Sequence, residues 1–414
     1  MTKKQHFGEF QPHTLTKHAI LDAYLKAWAT ILVRSFKKVW FVDAFAGEGK
    51  DQAGNPGSPL IAARVAEQIN SKYYPGGIDP LAGMRVIAFE ADEERFLALS
   101  EVMQLFVAER WHKAVAILRK GTLEERLDGV IKAVGDSPTL YFLDPFGIDG
   151  LSADVLPRLL AGPRNELLIL FNDEGAVRLA GKVRAGQVDE EATLADAEAA
   201  VGPSLFGEEH AEEMREAMRA MARRSLAGHK SNMNAERIMD TAFGGDWWRP
   251  IIDSTHPDAR QAKFVELYES LLERIGGTKR LRFSVDTPDG RHKYYLIHAA
   301  KDARAYAVMK DAMHRARNRL RSQEPGVSIL EHIESGPNVV PVADQICHFF
   351  AGKQGVRWQG TSPNIKSYAI DETPLWYHEC DALQVELVRR GLADVNEKGK
   401  PQKPRSYSFP LYAS

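Results

Sequence analysis

Three short segments of this 414-residue chain carry acids and glycines spaced so that they could do chemistry together. The first is Phe41-Val42-Asp43-Ala44-Phe45-Ala46-Gly47-Glu48-Gly49. It sets an acid at the end of an apolar run and two glycines in the turn that follows. Glycine lets backbone approach a bulky ligand with no Cβ in the way. Asp43 or Glu48 could hold a cationic amino group, such as that on the methionine tail of S-adenosylmethionine. A phosphate-rich dinucleotide would instead prefer exposed helix N–H groups and no acids. The complete Gly-x-Gly-x-x-Gly and a Lys-Ser/Thr pair are both missing, which weakens NAD and ATP readings. Taken alone, the segment reads sooner as a glycine turn with no ligand.

The second segment is Ala88-Phe89-Glu90-Ala91-Asp92. A carboxylate at a strand end about forty residues past the glycine loop can accept both ribose hydroxyls. The alternative for Glu90 is a helix N-terminal acid, a role that Asp92 fills better. Gly121-Thr122 falls where adenine contacts would come, although Thr122 is also placed to cap the helix after it. The third segment is Leu143-Asp144-Pro145-Phe146-Gly147, directly after an apolar strand. Asp144 and the Pro145 carbonyl can accept hydrogen bonds from an exocyclic amine, and Phe146 offers a stacking face. That set would act by positioning the acceptor for in-line transfer. Its plain alternative is a strand-ending turn with Phe146 in the core. The motif resembles the Asp/Asn-Pro-Pro-Tyr/Phe signature of base amino-methyltransferases, with one proline missing and Gly147 added. The Asp-Pro-Phe-Gly form is closer to that of tRNA guanine-N2 methyltransferases.

The elements that must position these residues alternate along the chain. Val39–Val42, Arg85–Phe89, Ala114–Leu118, Thr139–Leu143 and Glu166–Phe171 are short, continuous apolar runs, as expected of strands buried on both faces. Amphipathic stretches lie between them at Leu60–Ile69, Glu93–Glu109, Leu123–Val134 and Ala153–Leu160. This alternation predicts βαβ units and a parallel α/β sheet. Residues 173–255 read as a charged helical insertion or lid, in which Trp247-Trp248 needs burial. A helix, Ala259–Ile275, and a hairpin pairing Leu281–Val285 with Tyr294–Ala299 follow. The expected fold is therefore a Rossmann-like class I methyltransferase sheet, mostly parallel with an antiparallel last strand. It occupies residues 1–322, ending in the basic helix Lys310–Arg321. Residues 326–414 form a smaller unit with the outline of a winged helix-turn-helix.

Phe10-x-x-His13-Thr14-x-x-Lys17, Val42-Asp43-Ala44-Phe45-Ala46-Gly47-x-Gly49, Gly57-Ser58-Pro59-Leu60 and Asp144-Pro145-Phe146-Gly147 together resemble the three-Cys-motif partner (TcmP) family. The likeness is strongest over the first 175 residues. It implies a methyltransferase-like fold, a bacterial or mobile-element setting and a three-Cys-motif protein as partner. It does not imply a settled substrate, and some members need not be catalytic. His13 and Lys17, at i and i+4, share a helix face that could point into the cleft. The candidate cofactor contacts are then Lys17, Asp43, Phe45, Ala46, Gly47, Gly49, Ser58, Glu90 and Thr122. The acceptor residues are Asp144, Pro145 and Phe146.

Net charge is −2, so any nucleic-acid surface must come from local basic clusters. Arg389 and Arg390 close the presumed recognition helix, and Lys398, Lys400, Lys403 and Arg405 line the presumed wing. Lys310, Arg315, Arg317, Arg319 and Arg321 add charge before the linker. A winged helix used for protein contacts is the alternative. Two cysteines, Cys347 and Cys380, support no disulfide framework, and with His348 and His378 they match no zinc spacing. The chain shows no signal segment and no apolar run of about 20 residues, so the expected setting is cytoplasmic, without a membrane. The functional expectation is a methyltransferase acting on a base amino group of DNA or RNA. Its alternatives are an inactive DNA-binding or defence-partner protein and a small-molecule methyltransferase.

Overall fold

The computed structural model describes residues 12–74, 82–108, 116–145, 147–185, 233–254, 256, 259–276, 278–287, 291–321, 344, 386, 389 and 390. Helix α1 (Pro12–Leu32) leads into β1 (Lys38–Asp43). Then come α2 (Ser58–Tyr73), β2 (Gly83–Glu90), α3 (Glu93–Ala108), β3 (Ala116–Lys120), α4 (Leu127–Val134), β4 (Thr139–Leu143), α5 (Leu156–Leu159) and β5 (Asn165–Phe171). Helices α6 (Asp173–Ala185), α7 (233–243), α8 (Arg249–Ser254) and α9 (Arg260–Gly276) follow. The described fold closes with β6 (Lys279–Asp286), β7 (His292–Ala300) and α10 (Ala303–Arg321).

The seven strands form one sheet in the order β3-β2-β1-β4-β5-β7-β6. Strands β1 to β5 are parallel, and β7 runs antiparallel to both β5 and β6. This is the Rossmann-like order expected for the class I methyltransferase sheet. The strands lie close to the apolar runs that mark them, and Thr139–Leu143 agrees at both ends. The hairpin is longer at both ends than expected and keeps its register, with Val285 opposite Tyr294 and Leu281 opposite His298.

Alternation along each strand sends side chains to opposite faces. Trp40, Val42, Tyr141, Leu143, Leu167 and Ile169 pack under α4 to α9, whereas Phe41, Leu140, Phe142, Leu168 and Leu170 pack under α1, α2, α3 and α10. Both faces are therefore covered, and the continuous apolar runs follow from that. Two helices are shorter than expected. The 123–134 stretch begins as a 3-10 turn over Glu124–Arg126. Helix α5 starts only at Leu156, because Pro157 has no N–H to give and belongs in a first turn.

Within the 173–255 segment the structure describes residues 173–185 and 233–254. Met239, Phe243 and Trp248 are buried in the core beneath the sheet, and Phe171 stacks on Tyr268 at 4.6 Å with Phe243 edge-on to both. Of the tryptophan pair, Trp248 is buried and donates its indole N–H to Asp240 Oδ1 at 2.8 Å, while Trp247 is exposed. Among the described residues no helix is long and apolar enough to cross a membrane.

The start of β2 depends on one glycine. Gly83 has φ +86°, and a Cβ there would sit 2.3 Å from Asn70 Oδ1. Asn70, fully buried on α2, accepts from the Met84 N–H at 2.8 Å and donates to the Met84 carbonyl at 3.0 Å. Gly83→Ala would impose left-handed strain and dislodge that amide together. We expect a loss of about 2–4 kcal/mol, read from urea melts. An unchanged midpoint would show that the contact is dispensable.

Candidate cofactor and acceptor site

Asp43 and Asp144 stand at the carboxyl ends of β1 and β4, the adjacent strands where the sheet order reverses. Open sheets of this type hold ligands in the crevice outside that reversal. Phe41 and Phe142 face α1, and alternation carries both acids toward the same side. Lys17, in the first turns of α1, reaches across to form an ion pair with Asp144 Oδ2. The pair is nearly enclosed, with the two side chains 9% and 15% exposed. Lys17, expected among the cofactor contacts, is thus engaged by Asp144 itself. His13, one turn earlier, meets Tyr294 twice: its carbonyl accepts from the Tyr294 hydroxyl at 2.9 Å, and the rings meet edge-on.

Asp43 is fully buried. Its Oδ1 accepts from the Phe45 N–H at 3.1 Å, and its Oδ2 is enclosed with no hydrogen bond. Burial pushes this carboxyl up to about 7, and Asp144 adds to the rise; the Ser58 hydroxyl, the Phe45 N–H and Lys17 oppose it. The Ser58 hydroxyl favours the charged form without completing a hydrogen bond to Oδ2. Two carboxylates thus share one lysine. The two acids are one positive charge short when both are ionised, and burying an unpaired charge is costly.

Glu90 ties the three loops at this end of the sheet together. Its Oε2 accepts from the Gly47 N–H at 2.8 Å and its Oε1 from the Asp92 N–H at 2.9 Å, while its backbone carbonyl accepts from the Gly121 N–H at 3.0 Å. A carboxylate has about four acceptor sites, so these two bonds leave further acceptor capacity on each oxygen. Gly47 has φ +63°, and a Cβ built on it meets nothing within 4 Å, so this loop faces open space. Gly49 plays a different part. Its Cβ position lies 3.0 Å from Leu99 on α3, so it packs against protein. Ala46 likewise turns into the core.

Phe45, Thr122, Leu143, Gly150 and Ser152 line a cavity of about 90 Å³ beside this loop. Gly150 is constrained by Phe45, whose ring would lie 2.8 Å from an added Cβ. Thr122 also caps the helical turn after it: its hydroxyl accepts from the Glu125 N–H at 3.1 Å, and its own N–H donates to Glu125 Oε2 at 2.9 Å. Pro145 is buried. Phe146, Lys398, Lys400, Lys403 and Arg405 lie outside the described residues, as does nearly all of 326–414. Arg389 and Arg390 both pair with Glu386, and Arg390 also with Asp344.

A further polar group at the carboxyl end of the sheet was not singled out in the sequence. His292, which opens β7, contacts Asp173 Oδ1 through Nε2 at 2.9 Å and the Ser284 hydroxyl through Nδ1 at 2.8 Å. Asp173 follows β5 by two residues, and an acid in that position was the available signal. Burial opposes protonation of His292, but the hydrogen bond and charge of Asp173, with Asp286 and Glu174, outweigh it and raise the pKa. A raised imidazole pKa stabilises the fold below about pH 6.5, and the benefit is lost as pH rises through the folded-state value. The melting-temperature gap between the native chain and His292→Gln should therefore be widest at pH 5–6 and close toward pH 8. A gap independent of pH would contradict the pairing.

No family model and no curated protein matches the chain. Solved structures that are similar include two plantazolicin methyltransferases. BamL, in complex with a triazolic desmethylPZN analog and SAH, is 8% identical, with a TM-score of 0.27 over 69% of this chain and 86% of its own. BpumL, in complex with SAH, is 10% identical, with a TM-score of 0.26 over 70% of this chain and 86% of its own. A Legionella pneumophila protein of family DUF519 is 14% identical, with a TM-score of 0.26 over 40% of this chain and 70% of its own. At such scores the fold class rests on the strand order itself: a Rossmann-like, mostly parallel sheet with a buried acid at its switch point.

Proposed function

We propose that this chain is an S-adenosylmethionine-dependent methyltransferase of the three-Cys-motif partner type, acting on a base amino group of DNA or RNA. One observation carries the cofactor part. Asp43 Oδ2 is a buried, unpartnered carboxylate oxygen at the switch point, which suits the cofactor's ammonium. The open space over Gly47 and the free acceptor capacity of Glu90 fit the rest of the nucleoside.

S-adenosylmethionine would supply an electrophilic sulfonium methyl. Asp43 would hold the ammonium, and Glu90 the ribose hydroxyls. Thr122 and the small cavity beside Phe45 would receive the edge of the adenine. Asp144 and the Pro145 carbonyl would orient the acceptor amine, with Phe146 as its stacking face. Lys17 holds the Asp144 carboxylate in the free protein, so an incoming amine must share or displace that contact. Residues 326–414, with Arg389, Arg390, Lys398, Lys400, Lys403 and Arg405, would grip the nucleic acid, and a three-Cys-motif protein is the proposed partner.

The test is labelled methyl transfer from S-adenosylmethionine to mixed DNA and RNA. Asp144→Ala, assayed at saturating S-adenosylmethionine because the released Lys17 can compete for Asp43, should lower transfer by about a hundredfold, the scale of a misplaced reactant. Near-normal transfer by that variant would overturn the amine-alignment role. Cofactor binding with no transfer to either nucleic acid would overturn the proposed substrate.

A further inference from the structure

A cavity of about 280 Å³ lies at the amino-terminal edge of the sheet, opposite the end that bears Asp43 and Asp144. Its place follows from the topology. Strand β5 begins there at Asn165, antiparallel β7 ends there at Ala300, α1 finishes beside them and α10 starts. The walls are apolar, with Trp28, Leu32 and Phe36 on one side and Val308 on the other.

Glu166 forms the floor and is almost completely buried. Its carboxylate is already supplied: Trp28 donates its indole N–H to Oε1 at 2.9 Å, while the Tyr24 hydroxyl and His298 Nε2 bond to Oε2. A carboxylate so provided has little call for a cationic ligand. The rim is basic, carrying Arg164, Lys301 and Arg304. The Arg164 guanidinium lies 4.5 Å from the centroid of the Phe36 ring, so apolar wall and charge adjoin. The amino terminus of α10 adds partial positive charge at the same point. Asp302 is the acid on the rim, and its Oδ1 is taken by the Arg304 N–H at 2.8 Å. Three cations against two acids leave the cavity one positive charge in excess, with aromatic walls of a size for a small ligand.

We infer that this cavity binds a small aromatic monoanion, with its ring against Trp28 and Phe36 and its charged head at Arg164 and Arg304. A dianionic phosphate is disfavoured by Glu166 and Asp302 nearby. The site is separate from the proposed cofactor crevice and does not depend on that reading.

Anilinonaphthalene sulfonate, an aromatic monoanion whose emission rises on leaving water, is the probe, used with the intact chain. We expect one site per chain, unaffected by excess S-adenosylhomocysteine. Ala305→Trp, which fills the cavity from α10, should abolish binding. Joint replacement of the exposed Arg164 and Arg304 by Ala should weaken it about tenfold or more, the scale of lost charged hydrogen bonds. If Ala305→Trp does not fold, the arginine pair carries the test. Emission undiminished in the variants that fold, or competed away by S-adenosylhomocysteine, would overturn the inference.

Discussion

Asp43→Asn should bind S-adenosylhomocysteine about 10–150-fold more weakly than the native chain, the range for losing a charged hydrogen bond. The same change should make the ligand-free protein more stable at neutral and alkaline pH. The sign follows from the raised pKa. An acid near 3.8 in the unfolded chain and about 7 in the folded one binds more protons when folded, so stability falls as pH rises between those values. Three units at about 1.4 kcal/mol each come to roughly 4 kcal/mol by pH 8. The amide that replaces the Asp43 carboxyl would still be a polar group short of partners, a cost of about 1–3 kcal/mol. The net gain should be about 1–3 kcal/mol at pH 8 and absent at pH 4. Thermal melts across that range measure it. A variant that is weaker in binding yet no more stable at pH 8 would mean that the buried carboxylate is not strained. On the present account the site gives up stability for its ligand, as functional sites commonly do.

The second large effect is structural and lies at the other end of the sheet. Glu166→Ala would leave the Trp28 indole N–H, the Tyr24 hydroxyl and His298 buried without their shared acceptor. Unmet buried donors cost about 1–3 kcal/mol each, so a loss of roughly 3–5 kcal/mol is expected once the cluster relaxes. The melting temperature should fall by roughly 4–8 °C. Glu166→Gln keeps the shape and one carbonyl acceptor and should lose less than half of that. Cofactor affinity of the folded variant should be unchanged, because Glu166 sits at the opposite sheet edge from Asp43. A melting temperature within about a degree of the native value would show that Tyr24 and Trp28 do not need this acceptor to pin α1 to the sheet.

What can be read from the sequence follows physical lines. Strands buried on both faces announce themselves as unbroken apolar runs, so β1 to β5 are legible, and with them the acids at their carboxyl ends. Asp43, Glu90 and Asp144 stand out because each follows such a run directly. What those acids touch is not legible. The partner of Asp144 is Lys17, 127 residues away, and no local periodicity reports a pair so distant. Glu90 reads as a ribose ligand or a helix-end acid, and it is also the knot between the glycine loop and the two loops beside it. The 173–255 segment reads as a lid because of its charge. Phe243 and Trp248 show that a few large apolar side chains decide where such helices pack. Tyr24, Trp28, Glu166 and His298 meet only once α1 lies across β5 and β7, so their cluster has no signal in any one segment.

Proton release on binding tests most directly whether Asp43 receives the ammonium of a nucleoside cofactor. At pH 7 the buried carboxyl should be about half protonated, and a cation placed beside it should drive that proton off. S-adenosylhomocysteine should therefore be titrated calorimetrically into the intact chain at pH 7 in phosphate and in Tris, whose ionisation heats differ widely. The expected result is one site whose apparent enthalpy differs between the buffers by roughly half a proton's worth of ionisation heat, with the difference gone in Asp43→Asn. No binding, or binding with the same enthalpy in both buffers, would contradict the account.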